Sequence, residues 1–211
     1  MKWLFLTLLW LPFASHAQGF AGLGSNAEGF FVPNPDRALV FPKDHGAHED
    51  YRIEWWYLTA NLKAADGTPY GLQWTLFRSA LRLGEGEAWH SSQLWMGHAA
   101  VTTPDQQYVS ERLGRGGIGQ AGVTVDAQFD AWIDDWHLRG SNNLNELAMR
   151  AVGNDFAYEM DLSARGPLVL QGNAGYSVKS AAGQASYYYS QPFYDITGTL
   201  SLPEGDIAVT G

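Results

Sequence analysis

No window of twelve or more residues in this chain holds a 3.6-residue apolar period. Short runs of β-branched and aromatic residues alternate instead with turn residues at intervals of about ten to twenty positions. That pattern predicts consecutive hairpins and an all-β, antiparallel barrel or sandwich rather than an α/β enzyme. Expected strands cover residues 53–62, 70–81, 89–101, 123–129, 132–139, 144–152, 156–162, 185–192 and 196–202. Asp66-Gly67, just after the first of them, is a hairpin turn pair.

The chain has 211 residues, 45% hydrophobic and 17% charged, so it has the apolar surface for one sizeable core. It has no Cys, which removes disulfides and thiolate metal sites. A net charge of −9 argues against binding a phosphate backbone, and no nucleic-acid partner is expected. At the N-terminus Lys2 precedes an apolar run over residues 3–14 and then Ser15-His16-Ala17, the pattern of a cleavable signal peptide over residues 1–17. The run is too short to span a bilayer, where about 20 residues are needed, and no transmembrane segment is expected. Secreted or periplasmic location follows from this reading. Residues 18–38, rich in Gly and Pro, read as an irregular arm before a body that starts at Leu39.

Period-two alternation sorts side chains onto faces. Glu54, Trp56 and Leu58 share one face of the first strand, and Ile53, Trp55, Tyr57 and Thr59 share the other. The second strand divides into Leu72, Trp74, Leu76, Arg78 and Gly71, Gln73, Thr75, Phe77; in the third, Leu94, Met96 and His98 go together. Strands apolar on both sides predict a covering layer outside the sheet as well as a filled interior. The isolated polar residues Glu54, Gln73 and His98 are expected to point into the barrel and meet one another, Arg78 or trapped water at one end of a cavity.

The stretches Phe41-Pro-Lys-Asp-His-Gly-Ala-His, Tyr51-Arg-Ile-Glu-Trp-Trp-Tyr-Leu-Thr and Tyr70-Gly-Leu-Gln-Trp-Thr-Leu-Phe-Arg carry a resemblance. So do Met96-Gly-His-Ala-Ala, Ser110-Glu-Arg-Leu-Gly-Arg-Gly, Gly175-Tyr-Ser and Ala185-Ser-Tyr-Tyr-Tyr-Ser. Together they resemble the AttH-like family of secreted hydrolases, related to carotenoid 1,2-hydratases. The resemblance implies lipocalin-like β-barrels in tandem, with residues 39–195 forming the N-terminal barrel and 196–211 opening a second, truncated one. It also implies a hydrolase- or hydratase-type activity on an apolar, isoprenoid- or lipid-like substrate, with an exporter system of the cell envelope as a further partner. The alternatives are a non-catalytic carrier of a hydrophobic ligand or an inactive fragment. No cofactor is expected.

Among the residues themselves, Glu54 beside two tryptophans suits a general acid, with His98 as its orienter and Tyr188 as a phenol directed at the ligand. Trp56, Gln73, Phe77 and Met96 are the expected ligand wall. Arg78, Glu111 and Arg112 are assigned to ion pairs, and the bland alternative for Glu54 is neutralisation by Arg78 or a bond to His98. Asp44, His45 and His48 form an alternative metal set, against the simpler reading of a polar loop entering the first strand. Gly114-Arg-Gly-Gly-Ile-Gly119 matches G-x-G-x-x-G, but a strand pattern follows it, so it reads as a loop at the barrel mouth and not a dinucleotide site. Ser177 lacks the second Gly of a nucleophile elbow.

Overall fold

The computed structural model describes residues 29–84, 86, 88–181 and 184–211; the signal segment and residues 18–28 of the arm lie outside them. Four long strands come first: β1 (Ile53–Ala64), β2 (Pro69–Ala80), β3 (Gln93–Thr102) and β4 (Gln107–Arg115). Five shorter ones follow: β5 (Ala121–Thr124), β6 (Phe129–Ile133), β7 (Trp136–Gly140), β8 (Glu146–Val152) and β9 (Ala157–Ala164). Two small ribbons pair β10 (Val169–Leu170) with β13 (Tyr189–Ser190) and β11 (Tyr176–Val178) with β12 (Ala185–Tyr187). The last strands are β14 (Tyr194–Leu202) and β15 (Gly205–Thr210). Helical structure among the described residues is limited to 3-10 turns at Lys43–His45 and Ala88–His90.

Eleven strands form one antiparallel sheet in the order β4-β3-β2-β1-β15-β14-β9-β8-β7-β6-β5, which curls into the expected lipocalin-like, nearly closed barrel. Closure is by packing. Arg112 of β4 lays its guanidinium 4.5 Å over the Trp136 ring, bonds the Asp135 carboxylate and donates to the Val152 carbonyl at 3.2 Å. Where β3 passes beneath β6, a Cβ added to Gly97 would stand 2.7 Å from Ile133 Cγ2, so only glycine lets the two strands approach this closely.

The last strands correct the domain reading. β14 pairs with β9 over eight positions and β15 pairs with both β14 and β1, so residues 196–211 complete this sheet and do not open another. The expected strand at 132–139 is two strands around Asp134-Asp135, a tight turn with Asp134 at φ 52°. β4, with its polar alternation, had no expected counterpart. The β1–β2 turn is the predicted one, with Gly67 at φ 87° and Asp66 Oδ1 accepting the Thr68 N–H at 2.9 Å. Gly114 lies at the end of β4, and Gly116 to Gly119 belong to the strand-to-strand loop that leads to β5.

Alternation is clean. Leu147, Met149 and Ala151 of β8, Tyr158, Met160 and Leu162 of β9, and Ile196, Leu200 and Leu202 of β14 point inward and are buried. Trp74, Trp136 and Tyr158 are among the largest side chains filling the interior, each giving roughly 2 kcal/mol or more for leaving water.

Candidate functional site

Two polar constellations lie on opposite faces of β1–β3. The inner one begins with Glu54 and Arg78, cross-strand neighbours whose side chains both turn inward, as period-two spacing requires. Arg78 is fully buried, and its guanidinium donates to Glu54 Oε2 (2.8 Å), Gln93 Oε1 (2.5 Å) and the carbonyls of His48 (2.7 Å) and Tyr51 (2.5 Å). Glu54 also accepts the His48 backbone N–H at 2.8 Å on Oε2 and the His48 Nδ1–H at 2.7 Å on Oε1. The other ring nitrogen of His48 lies 3.0 Å from Asp44 Oδ1.

An imidazole between two carboxylates gains most as the cation. The bond to Glu54 raises the pKa of His48 against the opposing effect of burial, and Asp44 adds to the rise. Burial works against the Asp44 carboxylate, but the Val40 N–H, Arg37 and His48 outweigh it and hold its pKa below the ordinary value. His45, fully buried, stacks on Phe41 with ring centroids 4.5 Å apart and places Nδ1 2.7 Å from the Tyr189 hydroxyl. Burial lowers its pKa to about 4, so it is neutral near pH 7. Its carbonyl accepts the Trp56 Nε1–H at 2.9 Å.

This constellation is a clasp that fastens loop 43–52 to the sheet. Both oxygens of Glu54 are engaged by a cation or an N–H, so its hydrogen-bonding capacity serves the clasp. The bland alternative through Arg78 is what the geometry shows. Asp44, His45 and His48 do not form a metal site: His48 is spent on two carboxylates, His45 turns to Tyr189, and among the described residues no three His, Asp or Glu side chains are grouped to hold an ion.

The outer constellation gathers the remaining predicted residues, and it corrects their placement. Gln73, Phe77, Met96 and His98 were expected inside the barrel; they stand on its outer face, because Trp74, Leu76, Arg78 and Trp95, Gly97, Ala99 occupy the inner one. His98 therefore does not meet Glu54. Register aligns Trp55, Phe77, Met96 and Leu113 in an apolar row across β1–β4, and Tyr57, Thr75, His98 and Glu111 in the next row. His98 Nε2 lies 3.6 Å from Glu111 Oε1, and the imidazole meets the Phe77 ring edge-on at 5.8 Å between centroids. Gln73 Nε2 donates to Thr75 Oγ1 at 3.2 Å.

Tyr188, carried by the β12–β13 segment, brings its hydroxyl to 2.6 Å from that of Tyr57. The bonds to Tyr57 and then Ser190 lower the Tyr188 pKa, and the bond to Tyr188, then burial, push Tyr57 up to about 12. The ammonium of Lys179 sits 4.6 Å over the Tyr188 ring. Tyr57 belongs to the face that alternation set apart from Glu54, but its partner is 131 positions away and left no local signal. Tyr189, 144 positions from His45, was missed for the same reason; Arg37 and Gln93 lie only 7 and 15 positions from Asp44 and Arg78, but no motif marked them.

The barrel interior is packed with side chains. Two surface clefts, of about 440 Å³ beside residues 152–157 and about 350 Å³ beside residues 81–92, include no residue of the clasp or of the outer platform.

A near-closed antiparallel barrel with a buried ionic clasp and an aromatic outer platform is the class of protein defined here. The AttH-like family model matches residues 32–211, and the chain belongs to that family. No curated protein sequence matches it. An AttH structure from Nitrosomonas europaea is 34% identical with a TM-score of 0.73, covering 86% of this chain and 55% of that one. Kievitone hydratase from Nectria haematococca shares the fold at 11% identity and a TM-score of 0.54, covering 74% of this chain and 43% of that one. The chain thus spans about half the length of these two structures.

Proposed function

We propose that this chain is an exported protein of the hydratase or hydrolase type, acting on an apolar, isoprenoid- or lipid-like substrate at the outer face of β1–β4. The observation that carries the reading is the row Tyr57, Thr75, His98, Glu111, with Tyr188 bonded to Tyr57, lying beside the apolar row Trp55, Phe77, Met96, Leu113. The fold shared with a hydratase supports water addition as the reaction class. In that reaction Tyr188, hydrogen-bonded to Tyr57, directs its O–H at one carbon of an isolated double bond. His98, with Nε2 toward Glu111, takes a proton from water on Nδ1 while the water oxygen bonds to the other carbon. Protons balance when the imidazolium returns its proton to the phenolate. Trp55 and Phe77 faces steady the developing cation.

Carriage of a ligand inside the barrel is the weaker alternative, because Trp74, Trp136 and Tyr158 fill that space. Export rests on the signal-peptide pattern of residues 1–17.

The test is incubation of the chain with a probe bearing a terminal dimethyl-substituted alkene in ¹⁸O-labelled water, followed by mass spectrometry of the product. Label enters the new alcohol with the wild-type chain, and His98→Ala and Tyr188→Phe lose it while melting unchanged. Equal turnover in both variants overturns the site; absence of labelled product from the wild type overturns the reaction class.

A further inference from the structure

The loop between β2 and β3 exposes its apolar side chains to solvent. After Ala80 it presents Leu81 and Leu83, 61% and 45% exposed, and it returns through the 3-10 turn that carries Trp89, 69% exposed. The loop is held at its base: the Leu81 N–H donates to the Ser92 carbonyl at 2.9 Å and Ser92 Oγ to the Gly84 carbonyl at 3.1 Å. Nothing in these bonds requires the leucines or the indole to be where they are.

Cations stand at the foot of the indole. Arg115 donates from Nη1 to the Trp89 carbonyl at 2.9 Å, and Arg82 and Arg115 share the cleft of about 350 Å³ beside Trp89. In a chain of net charge −9 this grouping is unusual, and the sequence also carries acidic residues at 85 and 87. Attraction by charge alone is therefore small. Three side chains also fall short of the roughly 800 Å² that each partner buries in a stable protein–protein interface. An indole and two leucines bordered by guanidinium groups do match the boundary between lipid head groups and acyl chains, where an amphipathic ring and a cation are both satisfied.

We infer that the β2–β3 loop docks on a lipid bilayer, with Leu81, Leu83 and Trp89 entering the head-group boundary and Arg82 and Arg115 meeting lipid phosphates. The inference is independent of the catalytic reading, since the outer platform and this loop share no residue. It gives the barrel a defined end facing the membrane, which suits a protein handling apolar material.

Sedimentation of the full chain with vesicles of phosphatidylcholine, alone or mixed with phosphatidylglycerol, tests it. The wild type co-sediments with both and more with the mixed vesicles; Trp89→Ser loses roughly tenfold in bound fraction, and Leu81→Ser with Leu83→Ser loses as much. Arg82→Gln removes only the preference for the anionic vesicles. Val109→Ser with Leu113→Ser, on the outer platform, binds as the wild type does. Binding undiminished in both loop variants, no sedimentation of the wild type with either vesicle, or loss confined to the Val109 and Leu113 variant each overturns the inference. Melting curves of all variants check that the losses do not come from unfolding.

Discussion

Arg78 Nε stands 2.8 Å from Glu54 Oε2, its direct neighbour across β1 and β2, and the buried guanidinium has no water to replace the carboxylate. The guanidinium is wholly buried and the carboxylate nearly so, with side-chain exposures of 0% and 16%. Burying a charge in this way is tolerated only with its partner in place. The pair also positions the loop, because the same guanidinium holds the carbonyls of His48 and Tyr51.

Glu54→Gln leaves the Arg78 charge unpaired, and the expected cost is about 3 to 5 kcal/mol in chemical denaturation. Turnover per folded molecule persists, since the carboxylate faces away from the outer platform. A variant that melts like the wild type but is inactive would restore Glu54 as the acid.

Histidines set opposite slopes of stability with pH. His45 has its folded pKa lowered to about 4 by burial, so its contribution is complete above its unfolded value of about 6.5 and is lost as pH falls toward 4, by about 3 kcal/mol in all. His48 is raised by Glu54 first, with burial opposing, so its contribution is complete below about 6.5 and is lost as pH rises through its folded value. Denaturation across pH 4 to 9 should show the acid-side slope reduced in His45→Phe and the alkaline-side loss reduced in His48→Gln.

Gly97→Ala drives a methyl to 2.7 Å from Ile133 Cγ2 at the crossing of β3 and β6. The expected loss is about 1 to 3 kcal/mol, read as a lower denaturation midpoint. Ile133→Ala, which removes Cγ2, costs less in the Gly97→Ala background than in the wild type if the contact is the cause.

Arg112→Lys keeps the charge but loses the planar stack on Trp136 and the fork between Asp135 and the Val152 carbonyl. Stability should drop by about 1 to 2 kcal/mol, and amide exchange should quicken in β4 and β7 before the rest of the sheet.

Strand identity was legible where alternation and turn chemistry agreed. Asp66-Gly67 marked the first hairpin, and Glu54, Trp56 and Leu58 were grouped correctly on one face. The Asp134-Asp135 turn was overlooked, although two acidic residues between Ile133 and Trp136 carried the signal. β4 was hidden because Gln107–Arg115 has little apolar alternation; its inner face is made of Tyr108, Arg112 and Gly114 with Ser110 between them.

By itself the sequence determined the all-β class and the parity of β1, β2 and β3, because strand geometry has a period of two and turns demand particular residues. Only the tertiary structure decided which parity faced the core. In β2 and β3 both faces carry large apolar side chains, so hydrophobicity does not distinguish them, and the choice falls to the crossing of β3 with β6, where Gly97 and not Met96 or His98 fits against Ile133. That one choice sent Glu54 and Arg78 into the clasp and His98, Gln73, Phe77 and Met96 to the outside. It also left the Tyr57–Tyr188 and His45–Tyr189 pairs to chain closure, which brings together residues 131 and 144 positions apart through contacts that no local pattern encodes.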